Sequence, residues 1–126
     1  MQRHYATPEP TPAEVVLTKA VVRAATLLGL THAALARIVG LSEASISRMA
    51  SGKRHFELDT KPAELATLLV RVYRSLDALV GNDDRQRRAW MDSFNRAFNQ
   101  TPREAVQTAE GLVQVLRYLD GARALA

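Results

Sequence analysis

Cysteine is missing from this chain, and its absence removes disulfides, thiolate metal sites and sulfur nucleophiles together. No apolar run approaches the ~18 residues that a membrane span needs, and the polar, proline-bearing N-terminus lacks a signal-peptide core. A cytoplasmic protein without membrane contact is therefore expected. The three histidines are scattered: His55 has no second histidine at ligand spacing and His32 falls at a helix start, so no metal site is expected. There is no glycine-rich phosphate loop, no pair of carboxylates placed for acid–base work, and no serine with a motif-placed histidine. An enzyme is thus the least favoured class, and no cofactor is expected. Charge of one sign is scarce too. The formal net charge is +4, with seven Lys/Arg against five acids in residues 1–60 and ten against eight in residues 61–126. The 126 residues allow one domain or two small ones, enough for a core but not for an elaborate enzyme.

What is present is helical periodicity punctuated by turns, which predicts an all-α fold. The most informative tract is Thr31 to Gly52. Thr31 is a good N-cap, Leu35, Ala36 and Val39 follow at helical spacing, and Gly40 supplies a left-handed stop. Ser42 caps a second helix in which Ile46 and Met49 point inward while Glu43, Ala44, Ser45, Ser47 and Arg48 stay small or polar, and Gly52 ends it. Isolated helices below ~12 residues are marginal in water, so both must pack on something else. Two such helices across a three-residue break, Gly40-Leu41-Ser42, form a helix-turn-helix. Short side chains at the start of its second helix let that helix approach base edges in a major groove.

The residues expected to face bases are Glu43, Ala44, Ser45, Ser47 and Arg48; those expected near phosphates are His32, Arg37, Lys53 and Arg54. Ser45→Glu is expected to remove DNA binding. Arg37, Arg48, Lys53 and Arg54 face only Glu43, a local excess of three positive charges. Binding through so few phosphate contacts is weak and salt-sensitive, so a homodimer on paired half-sites of double-stranded DNA is expected.

Residues 1–10 are expected to form a flexible arm, with Pro8 and Pro10 resisting helix. Residues 11–60 form the expected DNA-binding domain and residues 61–126 a second helical domain. Thr11-Pro12-Ala13-Glu14 is a capping box opening a helix with Leu17, Ala20, Ala24, Leu27 and Leu28 as its buried stripe and Gly29 at its end. From Pro62, Leu65, Leu68, Leu69, Val72, Tyr73, Leu76, Leu79 and Val80 recur at helical spacing up to Gly81. That face is wider than a surface helix needs; it joins the two parts, forms a dimer contact, or is buried within one monomer. Asp83 and Asp84 start another helix, anchored by Trp90, Met91 and Phe94, with Arg85, Arg87 and Arg88 on a solvated face. A second capping box, Thr101-Pro102-Arg103-Glu104, opens a short helix that Thr108 to Gly111 interrupts. Leu112, Val115, Leu116 and Leu119 then form the core side of a last helix, and Gly121 suggests a mobile tail from Ala122 onward.

The helix-turn-helix, with Ala36 at the helix contact, Gly40 in the turn and Ile46 as the buried residue, resembles that of phage-repressor and Xre-type regulators. Further along, Leu68-Leu69-Val70-Arg71-Val72-Tyr73, Ala89-Trp90-Met91, Asn95-Arg96-Ala97-Phe98, Thr101-Pro102 and Glu110-Gly111-Leu112-Val113-Gln114-Val115-Leu116 follow in order. That order resembles the toxin-binding domain of Xre/MbcA/ParS-type antitoxins. One departure is Phe98-Asn99-Gln100, where the family usually has a glycine-containing loop. The resemblance implies a type II antitoxin that covers the active site of a toxin, often of the NAD-consuming RES class, and represses its own operon. It places the toxin surface between Arg103 and Arg123, with Glu110, Gln114, Arg117, Tyr118 and Arg123 as candidates. The competing function is a stand-alone Xre-type repressor with a helical dimerisation domain, which leaves the second half with no other task.

Overall fold

Thr11 opens the first helix by reciprocal bonds: its hydroxyl accepts from the Glu14 amide at 3.2 Å, and the Glu14 carboxylate accepts from the Thr11 amide at 3.0 Å. The structure is a computed structural model that describes residues 8–125; of the expected arm, residues 1–7 lie outside the described part. The described residues form α1 (Pro12–Leu27), α2 (His32–Val39), α3 (Glu43–Ala50), α4 (Lys61–Val80), α5 (Asp84–Asp92), α6 (Pro102–Ala105) and α7 (Ala109–Leu125). The fold is all-α; extended pairing among the described residues is limited to a bridge between Asn95 and Gln100.

The organising element is α4. Its Leu69, Val72 and Leu76 are fully buried, and it packs on α1 and α2 with one part of its surface and on α5 and α7 with another. Most of the unusually wide apolar face is therefore consumed within the monomer, because a helix covered from two sides needs more than one stripe, while Leu79 near its end stays exposed. Each large side chain so buried contributes ~1.5–3 kcal/mol, and α4 thereby ties both halves to one core.

The buried stripe of α1 is shifted from the expected one. Thr18, Val21, Ala24, Ala25 and Leu28 are buried, while Leu17, Ala20 and Leu27 are only partly so. The reason is Thr18, whose hydroxyl accepts the Phe56 amide at 2.9 Å, a partner that apolar periodicity cannot reveal.

Arg87 is the largest departure in the second half. Expected on a solvated basic face, it is 1% exposed, 2.5 Å from both Asp77 and Asp84 and stacked 5.4 Å from the Tyr73 ring centroid. Asp77 first, then Asp84, raises its pKa against the opposing effect of burial. The carboxylate of Asp84 is largely in water, so that pair contributes little; Asp77 is 24% exposed and matters more. Most of what Arg87 contributes is then its volume at the junction of α4 and α5. Arg87→Ala is expected to cost about 3 kcal/mol, and Arg87→Met combined with Asp77→Leu to recover at least half of that, since apolar residues can replace both partners of a buried ion pair whereas removing one leaves the other unpaired. Urea unfolding midpoints check this; equal losses in both variants would assign the stability to the charge instead.

Three further expectations change. Phe94, expected as an anchor, is 62% exposed because α5 ends at Asp92 and Ser93 turns extended. The break expected at Thr108 to Gly111 falls at Val106 to Thr108, with Gly111 inside α7. There a Cβ would lie 1.9 Å from the carbonyl oxygen of Ala105, so glycine serves a close backbone crossing rather than a bend. Finally, α7 runs through Gly121 to Leu125, held late by Ser75, which donates to Asp120 at 2.8 Å and accepts from Arg123 at 3.1 Å.

Candidate DNA interface and partner face

The two short helices form as the caps require. Thr31 accepts the Ala34 amide at 3.0 Å, Gly40 takes φ +75° to end α2, and Ser42 accepts the Ser45 amide at 3.1 Å. Ile46 and Met49 bury one side of α3, which turns Glu43, Ala44, Ser47 and Arg48 outward together at steps of about 100° per residue. Ser51, at the end of α3, falls on the same outward side and was not marked by its sequence context.

Ser45 does not join them. It is 4% exposed, and its hydroxyl meets Ser42 at 2.8 Å, Arg48 at 3.4 Å and the Arg54 guanidinium. That contact holds Arg54 against α3. Lys53 and Arg54 are exposed on the connector after α3, and His32 is exposed in the first turn of α2. Arg37 is engaged elsewhere: its Nε donates to Gln107 at 2.7 Å, linking α2 to the connection between α6 and α7.

A second link joins the same regions. Arg103 of α6 donates to Asp92 at 2.6 Å and to the carbonyl of Gly29 in the turn between α1 and α2. Both halves therefore meet through polar contacts as well as through α4.

On α7, Glu110, Gln114, Arg117 and Tyr118 are all exposed and, at steps of three and four residues, lie on one side of the helix. Arg123 falls nearly opposite, against Ser75 of α4. Tyr118 is set firmly: its ring lies 6.2 Å from Trp90 in a stacked arrangement and 5.3 Å from Phe98 edge-on. The loop that lacks the usual glycine keeps its turn through Asn99, which takes φ +55°, and through Asn95, whose side chain accepts the Ala97 amide at 3.0 Å. Asparagine tolerates that left-handed conformation better than most side chains.

Glu14 has an additional role. Besides capping α1 it accepts the Leu58 amide at 2.9 Å. The Thr11 amide, then the Leu58 amide, lowers its pKa from the ordinary 4.5, with lesser help from the Thr11 hydroxyl and His55. A carboxylate whose folded pKa lies below its unfolded one stabilises fully above the unfolded value and loses that contribution as pH falls from there through the folded value. The difference in Tm between the natural chain and Glu14→Gln is therefore expected to shrink as pH drops below 4.5. Thermal melts over a pH series check this, and a constant difference would contradict it.

The described residues thus combine a helix-turn-helix, a shared central helix and an exposed second helical face, the architecture of a helix-turn-helix protein with an appended helical region. Residues 13–71 match the antitoxin Xre-like helix-turn-helix domain, and residues 75–124 match the antitoxin Xre/MbcA/ParS C-terminal toxin-binding domain. The chain belongs to the Xre/MbcA/ParS antitoxins and carries both domains of that family. No curated protein matches it in sequence.

Proposed function

We propose that this antitoxin neutralises its partner by laying the exposed side of α7 over the partner's active site, and that it represses its own operon through α3. The observation that carries this reading is the placement of two outward faces on different elements of one core: Ala44, Ser47 and Arg48 on α3, and Gln114, Arg117 and Tyr118 on α7. A Tyr held by two other aromatic rings and flanked by Arg117 has the composition of an interface anchor, being rigid and only partly solvated. Glu110 and Gln114 continue that side toward the start of α7. Arg123, on the other side, supports α7 through Ser75. Following the family resemblance, the partner is an NAD-consuming toxin of the RES class. On DNA, Glu43, Ala44, Ser47 and Arg48 face bases while His32, Lys53 and Arg54 approach phosphates, in a homodimer on paired half-sites.

Co-expression with the toxin encoded beside this protein tests the reading, with cellular NAD measured alongside growth. The natural chain is expected to restore both, and Arg117→Glu with Tyr118→Ala to restore neither while keeping its helical circular dichroism. Rescue by that variant would remove α7 from the inhibitory surface. Growth arrest without NAD loss would reject the RES assignment alone. A second reading, a repressor without a toxin, predicts no rescue by any variant.

A further inference from the structure

The connector from Ser51 to Asp59 carries Lys53 and Arg54 and has almost no packing of its own. Phe56 is 1% exposed, but Lys53, Arg54, Glu57 and Leu58 are exposed. An open groove of about 930 Å³ runs between this strap, the described arm at Pro8–Pro10 and Glu14. The amides of Ser51, Gly52 and Lys53 close onto carbonyls of α3 at 3.1, 3.2 and 2.8 Å, and beyond them two more amides of the strap are fixed, both by α1. The Phe56 amide donates to the Thr18 hydroxyl, which itself donates to the Glu14 carbonyl at 2.8 Å, and the Leu58 amide donates to the Glu14 carboxylate. One oxygen of that carboxylate is engaged by the Thr11 amide, leaving the other for Leu58.

We infer that Glu14 and Thr18 are positioning residues for DNA binding, holding the strap so that Lys53 and Arg54 lie beside α3 where a phosphate backbone would pass. Neither residue touches DNA; each acts through the strap. The geometry supports this at the far end as well. The Arg54 guanidinium reaches back to the Ser45 hydroxyl on α3, a placement that requires the chain after Gly52, at φ +79°, to return along the helix rather than leave it. A tether through hydrogen bonds at residues 56 and 58 limits the travel of residues 53 and 54 to that neighbourhood. Without it, Lys53 keeps its amide on the Arg48 carbonyl of α3 but Arg54 samples many positions, and the ordering that its phosphate contact needs on DNA is lost from the binding free energy.

This inference rests on the DNA-binding reading above. Glu14→Gln is the useful variant, because glutamine at the third helical position retains a capping box while presenting one acceptor oxygen in place of two. Thr18→Val is the second, removing the acceptor for Phe56 with little change in shape. Binding is read by fluorescence anisotropy across a salt series, using a labelled duplex from the region directly upstream of the coding sequence. Each variant is expected to bind about five- to tenfold more weakly at ~0.15 M salt, with a salt slope shallower by up to about 0.9 per protomer, the share of the one phosphate contact made by Arg54. In the Lys53→Ala, Arg54→Ala background, Glu14→Gln is expected to add little, since its effect passes through those two side chains. A role in folding alone would lower the active fraction and leave the slope unchanged. An unchanged slope, or full additivity with the double alanine variant, overturns the inference. Failure of the natural chain to bind the duplex would instead sink the DNA-binding reading itself.

Discussion

Gly111→Ala is expected to lower Tm by about 10 °C, whereas Gly121→Ala, on the same helix, is expected to raise it slightly. At Gly111 an added methyl group would sit 1.9 Å from the carbonyl oxygen of Ala105 and 2.8 Å from its carbonyl carbon, both backbone atoms of a fully buried residue. Backbone cannot swing aside as a long side chain does, so α6 and α7 must separate. Overpacking of this kind costs ~1–3 kcal/mol and more where backbone moves, against only ~1 kcal/mol gained in helix propensity. A net loss of ~3 kcal/mol corresponds to roughly 10 °C for a chain of this size. Gly121 has nothing within 4 Å of the same position, so there the propensity gain of up to ~1 kcal/mol stands unopposed. Differential scanning calorimetry of both variants decides it, and equal shifts would contradict the close crossing of α6 and α7.

The second large effect separates the two faces. Ala44→Glu is expected to weaken DNA binding by about a hundredfold while leaving toxin neutralisation intact. Ala44 is exposed on the outward side of α3, so glutamate fits without disturbing the core and, in the first turn, favours the helix. Against a base edge or phosphate the same carboxylate is an unpaired charge costing on the order of 3 kcal/mol, about a hundredfold in affinity. Ser45→Glu confuses the two effects, because Ser45 is buried beneath Arg54 and its replacement also disturbs the fold. Gel-shift titration and growth rescue, run on the same variant, give the two readouts. Loss of rescue with Ala44→Glu would mean that the faces are not independent.

The sequence was most informative where local chemistry decides the structure. Thr11, Thr31, Ser42 and Thr101 all cap helices with their hydroxyls, and Gly40 and Gly81 end two helices in the left-handed conformation. These are rules of neighbouring residues. Arg87 was illegible for the opposite reason: its surroundings suggest a solvated helix face, and its burial depends on Asp77 and Tyr73 arriving from α4. Thr18 and Glu14 were opaque in the same way, since the amides they accept belong to residues 56 and 58. The two glycines of α7 show the limit most plainly. Both suggested a break, yet one admits a crossing backbone and the other sits in an unbroken helix. For the candidate sites, helical spacing sufficed to bring Ala44, Ser47 and Arg48 together, whereas Gln114, Arg117 and Tyr118 are singled out by the family resemblance and share one side of α7. Spacing did not reveal that Ser45 is buried beneath Arg54, that Arg123 lies across α7 from the others and bonds to Ser75, or that Arg37 bonds to Gln107.

Amide hydrogen exchange on the chain alone, with its toxin, and with the upstream duplex tests the two-face account most directly. Toxin is expected to slow exchange over α7 and the α6–α7 connection while leaving α3 unchanged; the duplex is expected to slow α3 and residues 53 and 54 while leaving α7 unchanged. Protection of α3 by toxin at the expense of α7, or of α7 by the duplex, would contradict it.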